Sequence, residues 1–432
     1  MYGRFALQSR LARFRHVRPA SIESHRSNVA ALLRQHKADV QSLVESRTDQ
    51  NQFYAKLHDR IADYRMLRSA WDWLSTYGGK SPGPNGLTYE DIEEPNLSLL
   101  LRELSKSLKQ EKYSSRPGRR FPVSKGPGRG YRILERQNIE DRVVSKAILL
   151  VIGPLLDHQF LPCSWGFRPH LDREDALNQA FSFARQENRQ VWVGEDISNA
   201  YPSIPRNRLL DVVASYLPNP KVVNLIRHCL QNNSDMHGIS QGAPLSPLLL
   251  NLYLHHFLDR HWVQRYPNIP LIRYVDDILL LCRCQSEAEE AHMALSELLG
   301  PSNMHLKKGR CDSIVDLREN RPIDWLGYQI RFQAELEQLH VGVSSEGWHD
   351  LAARLELCHT KPFASLCTTR LITGWIDQAG ACYEAPPGGP ALIRRIRTIA
   401  EERGFQEIPT EFELLARWQR AHQRWVNKNR GI

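Results

Sequence analysis

Three aspartates stand where short apolar segments end. Asp276 and Asp277 lie between the two apolar halves of segment 271–282, which predicts a β-hairpin with both acids at its tip. Asp196 falls near the end of a second apolar segment, 191–197. Carboxylates that converge from neighbouring strands can hold two hard cations about 4 Å apart, which activates a hydroxyl and stabilises a leaving pyrophosphate. For the Asp-Asp pair alone, a solvated turn is the simpler explanation, because hydration also relieves the repulsion.

Two further segments have a composition suited to nucleotide chemistry. The run from Gly238 to Asn251, GISQGAPLSPLLLN, predicts a flexible loop and then a helix that begins near Ser246, with proline in its first turn. Such a loop can lie against a base pair, although an ordinary capped core helix has the same pattern. Residues 106–132 contain nine basic side chains and a single acid, Glu111. This density indicates an anion-binding surface, with a solvated loop as the alternative.

The composition favours a polyanionic partner. The chain has 432 residues, 57 Lys plus Arg against 48 Asp plus Glu, and a net charge of +9. A hydrophobic content of 41% excludes wholesale disorder. The eight cysteines do not form two C-x2-C pairs, so we interpret them as reduced thiols and not as a zinc site. The sequence has neither a membrane-length apolar stretch nor a secretory signal, and we therefore expect a soluble protein with no membrane partner.

Helices and a basic arm surround these segments. Apolar residues at helical intervals predict helices at 54–77, 100–108 and 411–430. The last of these has tryptophans on one face and basic residues, among them Arg417, Arg420 and Arg424, on another. The first 50 residues contain nine basic residues and four acids. This basic arm is expected to bind RNA or the body of the protein, and an organelle transit peptide is the alternative interpretation.

The order of the motifs resembles that of reverse transcriptases. Asp196-Ile-x-x-Ala-Tyr201, then Gln241-Gly-x-Pro-Leu-Ser-Pro-x-Leu-x-Asn251, then Tyr274-Val-Asp-Asp277 are similar to motifs A, B and C of that family. Ser164-Trp-Gly-Phe-Arg-Pro169 is similar to the Ser-Tyr-Gly-Phe-Arg-Pro segment of group II intron and related bacterial enzymes. Asp324-Trp-Leu-Gly-Tyr328 resembles the strand that bears the primer grip. The resemblance extends from about residue 71 to 332.

This resemblance implies an α+β fold of the right-hand polymerase type. Its parts are fingers, a ferredoxin-like palm with an antiparallel sheet, and a helical thumb, here with a basic N-terminal extension. The expected boundaries are 1–68 for the extension, 69–190 for the fingers with the start of the palm, 191–345 for the palm with motifs A to E, and 346–432 for the thumb.

The resemblance also implies roles for the three aspartates and their neighbours. Asp196, Asp276 and Asp277 would bind two Mg²⁺ ions, or Mn²⁺, with the backbone carbonyl of Ile197 nearby. In motif D, Lys308 is our choice, ahead of Arg310, for the residue that protonates pyrophosphate, although Leu306-Lys-Lys-Gly-Arg310 departs from the usual Glu-Lys-Thr ending.

Further residues are expected to bind substrate and nucleic acid. Tyr201 matches the steric gate that excludes a ribose 2′-hydroxyl, and Lys125 and Arg132 match the fingertip residues that grip the triphosphate of a dNTP. Asn199, Ala200 and Gln241 would complete the dNTP site. The expected nucleic-acid-binding residues are Arg116, Arg119, Arg120, Arg417, Arg420 and Arg424.

Among reverse transcriptases, the chain most resembles the stand-alone, defence-associated bacterial enzymes. About 100 residues follow Phe332, which suits a thumb but not also a maturase domain and an endonuclease, and no RNase H pattern is visible. We therefore expect an enzyme of the bacterial cytoplasm that copies a structured non-coding RNA into cDNA during antiphage defence. A retron-type or intron-derived enzyme, a protein-primed or template-independent polymerase and a non-catalytic RNA scaffold are the alternatives. The sequence does not specify the template, primer or oligomeric state.

Overall fold

The computed structural model of the protein describes residues 21–46, 50–124, 130–230, 237–333, 338–383 and 388–429. Its α-helices, in chain order, are α1 (Ser21–Ser46), α2 (Gln50–Ala55), α3 (Leu57–Ile61), α4 (Tyr64–Tyr77), α5 (Glu94–Lys109), α6 (Ile139–Asp157), α7 (Arg173–Gln186), α8 (Ala200–Ser203), α9 (Arg206–Tyr216), α10 (Pro220–Leu230), α11 (Ser246–Leu254), α12 (Arg260–Arg265), α13 (Gln285–Leu299), α14 (Arg310–Ser313), α15 (Ser345–Cys358), α16 (Ala364–Gln378), α17 (Gly389–Glu401) and α18 (Glu411–Asn429). Its strands are β1 (Arg119–Ser124), β2 (Tyr131–Arg136), β3 (Val191–Asp196), β4 (Leu271–Tyr274), β5 (Asp277–Cys282), β6 (Ile314–Asp316), β7 (Ile323–Trp325), β8 (Tyr328–Gln333) and β9 (Gln338–Val343). None of the described helices is long and apolar enough to span a bilayer.

The central sheet has the predicted ferredoxin-like arrangement. Its four strands are antiparallel and lie in the order β4-β5-β3-β6. Helices α8 to α12 connect β3 to β4, a hairpin joins β4 to β5, and α13 and α14 connect β5 to β6. This β-α-β-β-α-β connectivity is that of the ferredoxin-like motif, and it confirms the α+β fold class predicted from the sequence.

The central strands are apolar along their whole length because both faces of the sheet are covered. In β3, Val191 and Val193 pack into one hydrophobic core, whereas Trp192 between them packs into a second. In β5, Leu280 and Leu279 alternate in the same way. The first core continues into helices of the N-terminal half, and the second continues into the C-terminal sheet and helices. The strands that end in the aspartates are therefore held from both sides.

The predicted helix at 54–77 is divided into α2, α3 and α4. Asp63 ends the preceding turn and acts as the N-cap of α4, because its side chain accepts a hydrogen bond from the Arg65 N–H at 2.7 Å. Helix α4 ends before Gly78. The regular spacing of apolar residues across 54–77 arises because the separate helices bury their faces in the same core.

The basic segment forms a hairpin and the N-terminal arm packs on the body. Strands β1 and β2 pair in antiparallel register with Val123 opposite Arg132. In α1, Val40 and Leu43 are buried in the first core, and His36 Nε2 lies 2.8 Å from the Val151 carbonyl oxygen. This part of the arm therefore contacts the protein itself, while residues 1–20 lie outside the described residues.

The C-terminal part consists of the sheet β7-β8-β9 and helices α15 to α18. The segment that resembles the primer-grip strand is a tight hairpin, since Leu326 and Gly327 both have positive φ between the paired residues Trp325 and Tyr328. A two-residue turn with two positive φ angles matches the twist of the strands it joins. The predicted helix at 411–430 is present as α18, with Trp425 buried.

Candidate active site

The three predicted aspartates come together at one end of the two central strands. Asp196, the last residue of β3, lies directly opposite Asp277, the first residue of β5. Asp276 lies in the two-residue turn of the β4–β5 hairpin, and its carbonyl oxygen accepts a hydrogen bond from the Ile197 N–H at 3.0 Å. The other turn residue, Val275, has a positive φ of 62°. The hairpin predicted from the sequence is thus present, with its acids beside Asp196.

Burial and mutual repulsion disfavour the ionised forms of these acids. Burial, followed by the neighbouring charges of Asp276 and Asp196, raises the pKa of Asp277 to about 7. Burial also raises the pKa of Asp276, with Asp196 as the next cause. Clustered carboxylates of this kind are stable in their charged form only with a compensating positive charge.

Lys307 supplies one such charge. Its Nζ donates a hydrogen bond to Asp196 Oδ2 at 2.6 Å, and the pKa of Lys307 is raised by this contact. The backbone places it there, because the Lys307 N–H also donates to the Asp196 carbonyl oxygen at 2.9 Å. Lys308, which the sequence favoured, instead donates from Nζ to the Gly194 carbonyl oxygen at 3.0 Å. Of the two lysines, only Lys307 forms an ion pair with a carboxylate in the described part of the chain.

A buried glutamate supports the same strand end. Glu195 accepts hydrogen bonds from His292 Nε2 at 2.9 Å and from the Ser313 hydroxyl. Its second oxygen lies 3.3 Å from the Lys308 backbone nitrogen. Glu195 therefore links β3 to α13, α14 and the segment that carries Lys307. Sequence reasoning missed this residue because an acid next to Asp196 gives no indication of which face of the strand it occupies.

The hairpin is anchored by a fully buried arginine. Arg273 donates to the two carboxylate oxygens of Asp259 at 2.7 and 2.6 Å, and its Nη1 donates to the Val275 carbonyl oxygen at 2.8 Å. Nη1 also contacts Asn251 Oδ1 at 3.0 Å, and Nη2 contacts Ser164 Oγ at 2.8 Å. The sequence contains one indication of this buried network. An arginine inside an apolar strand implies a buried partner that neutralises its charge.

The residues expected near the nucleotide surround Tyr201. Asn199 has a left-handed φ of 47° and precedes α8, where Ala200 is buried. The Tyr201 carbonyl oxygen accepts from the Ile239 N–H at 2.9 Å, and burial, followed by the charge of Asp276, raises the pKa of the Tyr201 phenol. The structure therefore brings the loop that precedes α11 against motif A.

The same loop reaches the β1–β2 hairpin. The Gln241 carbonyl oxygen accepts a hydrogen bond from the Glu135 N–H at 2.8 Å. On this hairpin, Arg132 and Arg119 are exposed, and Arg120 Nε lies 3.9 Å from Glu135 Oε2. Arg116 precedes β1 and is also exposed, whereas Lys125 lies outside the described residues.

The C-terminal arginines differ in their surroundings. Arg417 forms an ion pair with Asp377 and donates from Nε to the Thr373 carbonyl oxygen at 3.0 Å. Arg424 Nη2 lies 3.4 Å from the same Asp377, and Arg420 is exposed. Arg417 therefore joins α18 to α16. The side chains of Arg420 and Arg424 are more exposed to solvent than that of Arg417.

The donor chemistry of the acids fits a divalent cation. Carboxylate and carbonyl oxygens are the ligands that Mg²⁺ and Mn²⁺ prefer, and the repulsion among the three acids is the charge that such a cation would neutralise. Within the described part of the chain, no group of three or more His, Cys, Asp or Glu side chains is already arranged to hold a metal ion. The ammonium group of Lys307 instead forms an ion pair with Asp196 Oδ2.

The central part of the chain matches a known family. Residues 123–330 match the family described as "Reverse transcriptase (RNA-dependent DNA polymerase)". The "Putative COX1/OXI3 intron 2 protein" of Saccharomyces cerevisiae is 28% identical over 218 residues, which are 48% of this chain and 25% of that protein. The "Group II intron-encoded protein LtrA" of Lactococcus lactis subsp. cremoris is 26% identical over 44% of this chain and 33% of its own length. "Protein YkfC" of Escherichia coli K12 is 26% identical over 204 residues, which are 45% of this chain and 53% of that protein.

This chain therefore spans between a quarter and about half of the length of these relatives. Among solved structures, apo telomerase from Candida tropicalis, truncated from its C-terminal domain, superposes with a TM-score of 0.38. It is 12% identical and covers 53% of this chain and 55% of its own. The region that matches the reverse transcriptase family, residues 123–330, contains β3, β4 and β5 with all three aspartates.

Proposed function

We propose that the protein is an RNA-directed DNA polymerase whose catalytic centre is formed by Asp196, Asp276 and Asp277. The observation that carries this proposal is the register of the central sheet, in which Asp196 faces Asp277 directly, inside the region that matches the reverse transcriptase family. Two Mg²⁺ ions, or Mn²⁺, bound to these carboxylates near the Ile197 carbonyl would activate the primer hydroxyl and neutralise charge on the leaving pyrophosphate.

The remaining residues act on the substrate directly. Tyr201 is the last residue of the segment that resembles motif A, and we assign its ring to the exclusion of a ribose 2′-hydroxyl. Lys307 is held against Asp196, so its ammonium group is the proton donor nearest to the carboxylates for the departing pyrophosphate. Arg132 and Lys125 are assigned to the triphosphate, and Asn199, Ala200 and Gln241 to the sugar, base and template side of the dNTP.

The template is proposed to be one structured non-coding RNA that is copied into cDNA in the bacterial cytoplasm. The net charge of +9 and the exposed arginines of the β1–β2 hairpin support an RNA partner. The antiphage role in this proposal follows from the sequence resemblance to stand-alone, defence-associated enzymes. The intron-encoded relatives favour the second candidate, an intron-derived enzyme.

The test is a double substitution, Asp276→Asn with Asp277→Asn. Incorporation of dNTPs on a primed RNA template should be abolished, because the substitutions remove the charges that attract the cations. At pH 8, above the raised pKa of Asp277, added Mg²⁺ or Mn²⁺ should increase the Tm of the wild-type protein but not that of the variant.

A matched control is Asp211→Asn, which neutralises an exposed aspartate on α9. It should retain both polymerisation and the effect of the metal on Tm. Substantial synthesis by the double variant would show that these carboxylates are not the catalytic centre.

A further inference from the structure

Two of the eight free cysteines are in contact in the C-terminal helices. Cys358 is the last residue of α15, and Cys367 lies in the first turn of α16. Cys358 Sγ donates a hydrogen bond to Cys367 Sγ, and the two sulfur atoms are 3.1 Å apart. Sulfur atoms this close need to move by only about 1 Å to reach the length of a disulfide bond. The roles assigned so far do not use this pair.

The backbone of the turn between α15 and α16 holds both cysteines in position. The Cys358 carbonyl oxygen accepts a hydrogen bond from the Lys361 N–H at 3.1 Å. The Cys367 N–H donates to the Phe363 carbonyl oxygen at 3.0 Å. Helices α15 and α16 also bury apolar residues in the same second core. The contact between the two sulfur atoms therefore follows from the packing of the helices and the geometry of their turn.

The two thiols differ in their exposure to solvent. Cys358 is 3% exposed and belongs to the second core, whereas Cys367 is partly exposed and follows an exposed turn, residues 359–363. Burial, followed by the hydrogen bond with Cys367, raises the pKa of the Cys358 thiol, so Cys358 stays protonated. Oxidation of cysteine depends on the accessibility of the sulfur. A small oxidant would therefore reach Cys367 first, and Cys358 is placed to react with the oxidised Cys367 sulfur.

We propose that Cys358 and Cys367 form a redox-sensitive dithiol, which a peroxide converts into a disulfide between α15 and α16. The Cys367 sulfur attacks one oxygen of hydrogen peroxide, so that an S–O bond forms, the O–O bond breaks, and a sulfenic acid and water result. The Cys358 sulfur then attacks the Cys367 sulfur. The S–S bond forms, the S–O bond breaks, and the hydroxyl leaves as water with the proton of Cys358. In total, the two thiols lose two electrons and two protons, and the peroxide becomes two molecules of water.

The disulfide would stabilise the helix pair, because it closes the turn covalently and restricts the unfolded chain. Oxidation should raise the Tm of the wild-type protein by about 3 °C, and dithiothreitol should reverse the increase. An unchanged Tm in protein that contains the disulfide would overturn this stabilising role. Neither cysteine is among the residues assigned to the catalytic centre or to the substrate, so these measurements need no DNA synthesis.

Peptide mapping tests whether the bond forms. The reduced wild-type protein is treated with hydrogen peroxide, and its remaining thiols are blocked with N-ethylmaleimide in denaturant. Trypsin releases residues 355–370 as one peptide, because it does not cleave between Lys361 and Pro362. Without peroxide, this peptide should carry two maleimide groups. After peroxide it should carry none and be lighter by two hydrogen atoms than the reduced peptide. Chymotrypsin cleavage after Phe363 should leave two pieces joined, which places the bond between Cys358 and Cys367.

Substitutions test the order of the two steps. Cys358→Ala should stop at the sulfenic acid of Cys367, which dimedone labels, and Cys367→Ser should leave Cys358 free to react with the maleimide. The matched control is Cys284→Ser with Cys311→Ser, which removes two exposed thiols and should form the disulfide at the wild-type rate. The mapping of the wild-type protein does not depend on the folding of any variant. If Cys358 and Cys367 both keep free thiols at a peroxide dose that oxidises Cys284 and Cys311, the proposal is wrong.

Discussion

Two adjacent lysines illustrate what a sequence motif leaves open at the scale of single residues. The sequence resemblance favoured Lys308 for motif D, but the geometry brings the amine of Lys307 to Asp196 and the amine of Lys308 to the Gly194 carbonyl. Which lysine faces the carboxylates depends on the register between Ile197 and Leu306, which form an isolated antiparallel bridge. A shift of one residue would exchange the two side chains.

We predict that Lys307→Ala lowers the rate of single-nucleotide incorporation about 100-fold or more, because a positioned general acid contributes about 10²- to 10⁴-fold in typical enzymes. Lys308→Ala is the matched control and should stay within about threefold of the wild type. Single-turnover kinetics across a pH series measure both the rate and the basic limb of the profile. A larger loss in Lys308→Ala than in Lys307→Ala would restore the assignment made from the sequence.

The three aspartates could be located from the sequence because local patterns specify them. Each stands at one end of a short apolar segment, and the family resemblance assigned them to one site. Glu195 and Lys307 could not be assigned in this way, since their roles depend on pairing between segments more than 100 residues apart. The placement of Lys125 stays a prediction, because this residue lies outside the described part of the chain.

At the scale of elements, the β4–β5 hairpin depends on a buried polar network. The turn contains Val275, a β-branched residue at a positive φ that such residues rarely adopt. Arg273 donates to the Val275 carbonyl oxygen, and Asp259 neutralises the arginine. This network links the turn to the helical segment that contains Asp259, and so it holds the adjacent Asp276 and Asp277 in place.

We predict that Arg273→Met destabilises the protein by about 3–5 kcal/mol, because Asp259 is left buried without its partner. The double variant Arg273→Met, Asp259→Leu should recover most of this free energy, since an apolar pair can replace a buried ion pair. Its incorporation rate should nevertheless stay low, because the Val275 carbonyl has lost its donor. Urea unfolding and single-turnover kinetics on both variants separate the two effects. Full recovery of activity in the double variant would show that the arginine is merely structural.

The sequence predicted whole elements better than their interruptions. The helix at 411–430 and the hairpin at 271–282 are present because a continuous pattern of apolar residues determines each one. The division of 54–77 at Asp63 was missed, since the N-cap contributes one hydrogen bond while the apolar spacing continues across it. The turn at Leu326 and Gly327 was also missed, because it divides a short segment that has the composition of a strand.

At the scale of the molecule, positive charge is distributed unevenly over the regions predicted to bind RNA. The first 20 residues contain five arginines, and they precede a helix whose Val40 and Leu43 belong to the core. At the other end of the chain, Arg417 is joined to Asp377, while Arg420 and Arg424 are more exposed. A substitution at Arg417 would therefore disturb the packing of α18, and a truncation to residue 47 would remove part of the core.

Our last prediction uses changes that avoid both problems. Arg420→Gln with Arg424→Gln, or deletion of residues 1–20, should reduce recovery of the proposed non-coding RNA template while synthesis on a generic primed template persists, because neither change reaches the aspartates. The two substitutions should also reduce the slope of log affinity against log salt by about 1.5, which corresponds to two phosphate contacts. Sequencing of co-purified RNA and salt-dependent binding titrations measure these effects. Arg227→Gln with Arg265→Gln removes the same charge from exposed positions on α10 and α12 and should leave the RNA unchanged. If the wild-type protein carried a random sample of cellular RNA that none of these changes altered, the enzyme would be a general polymerase without a dedicated RNA.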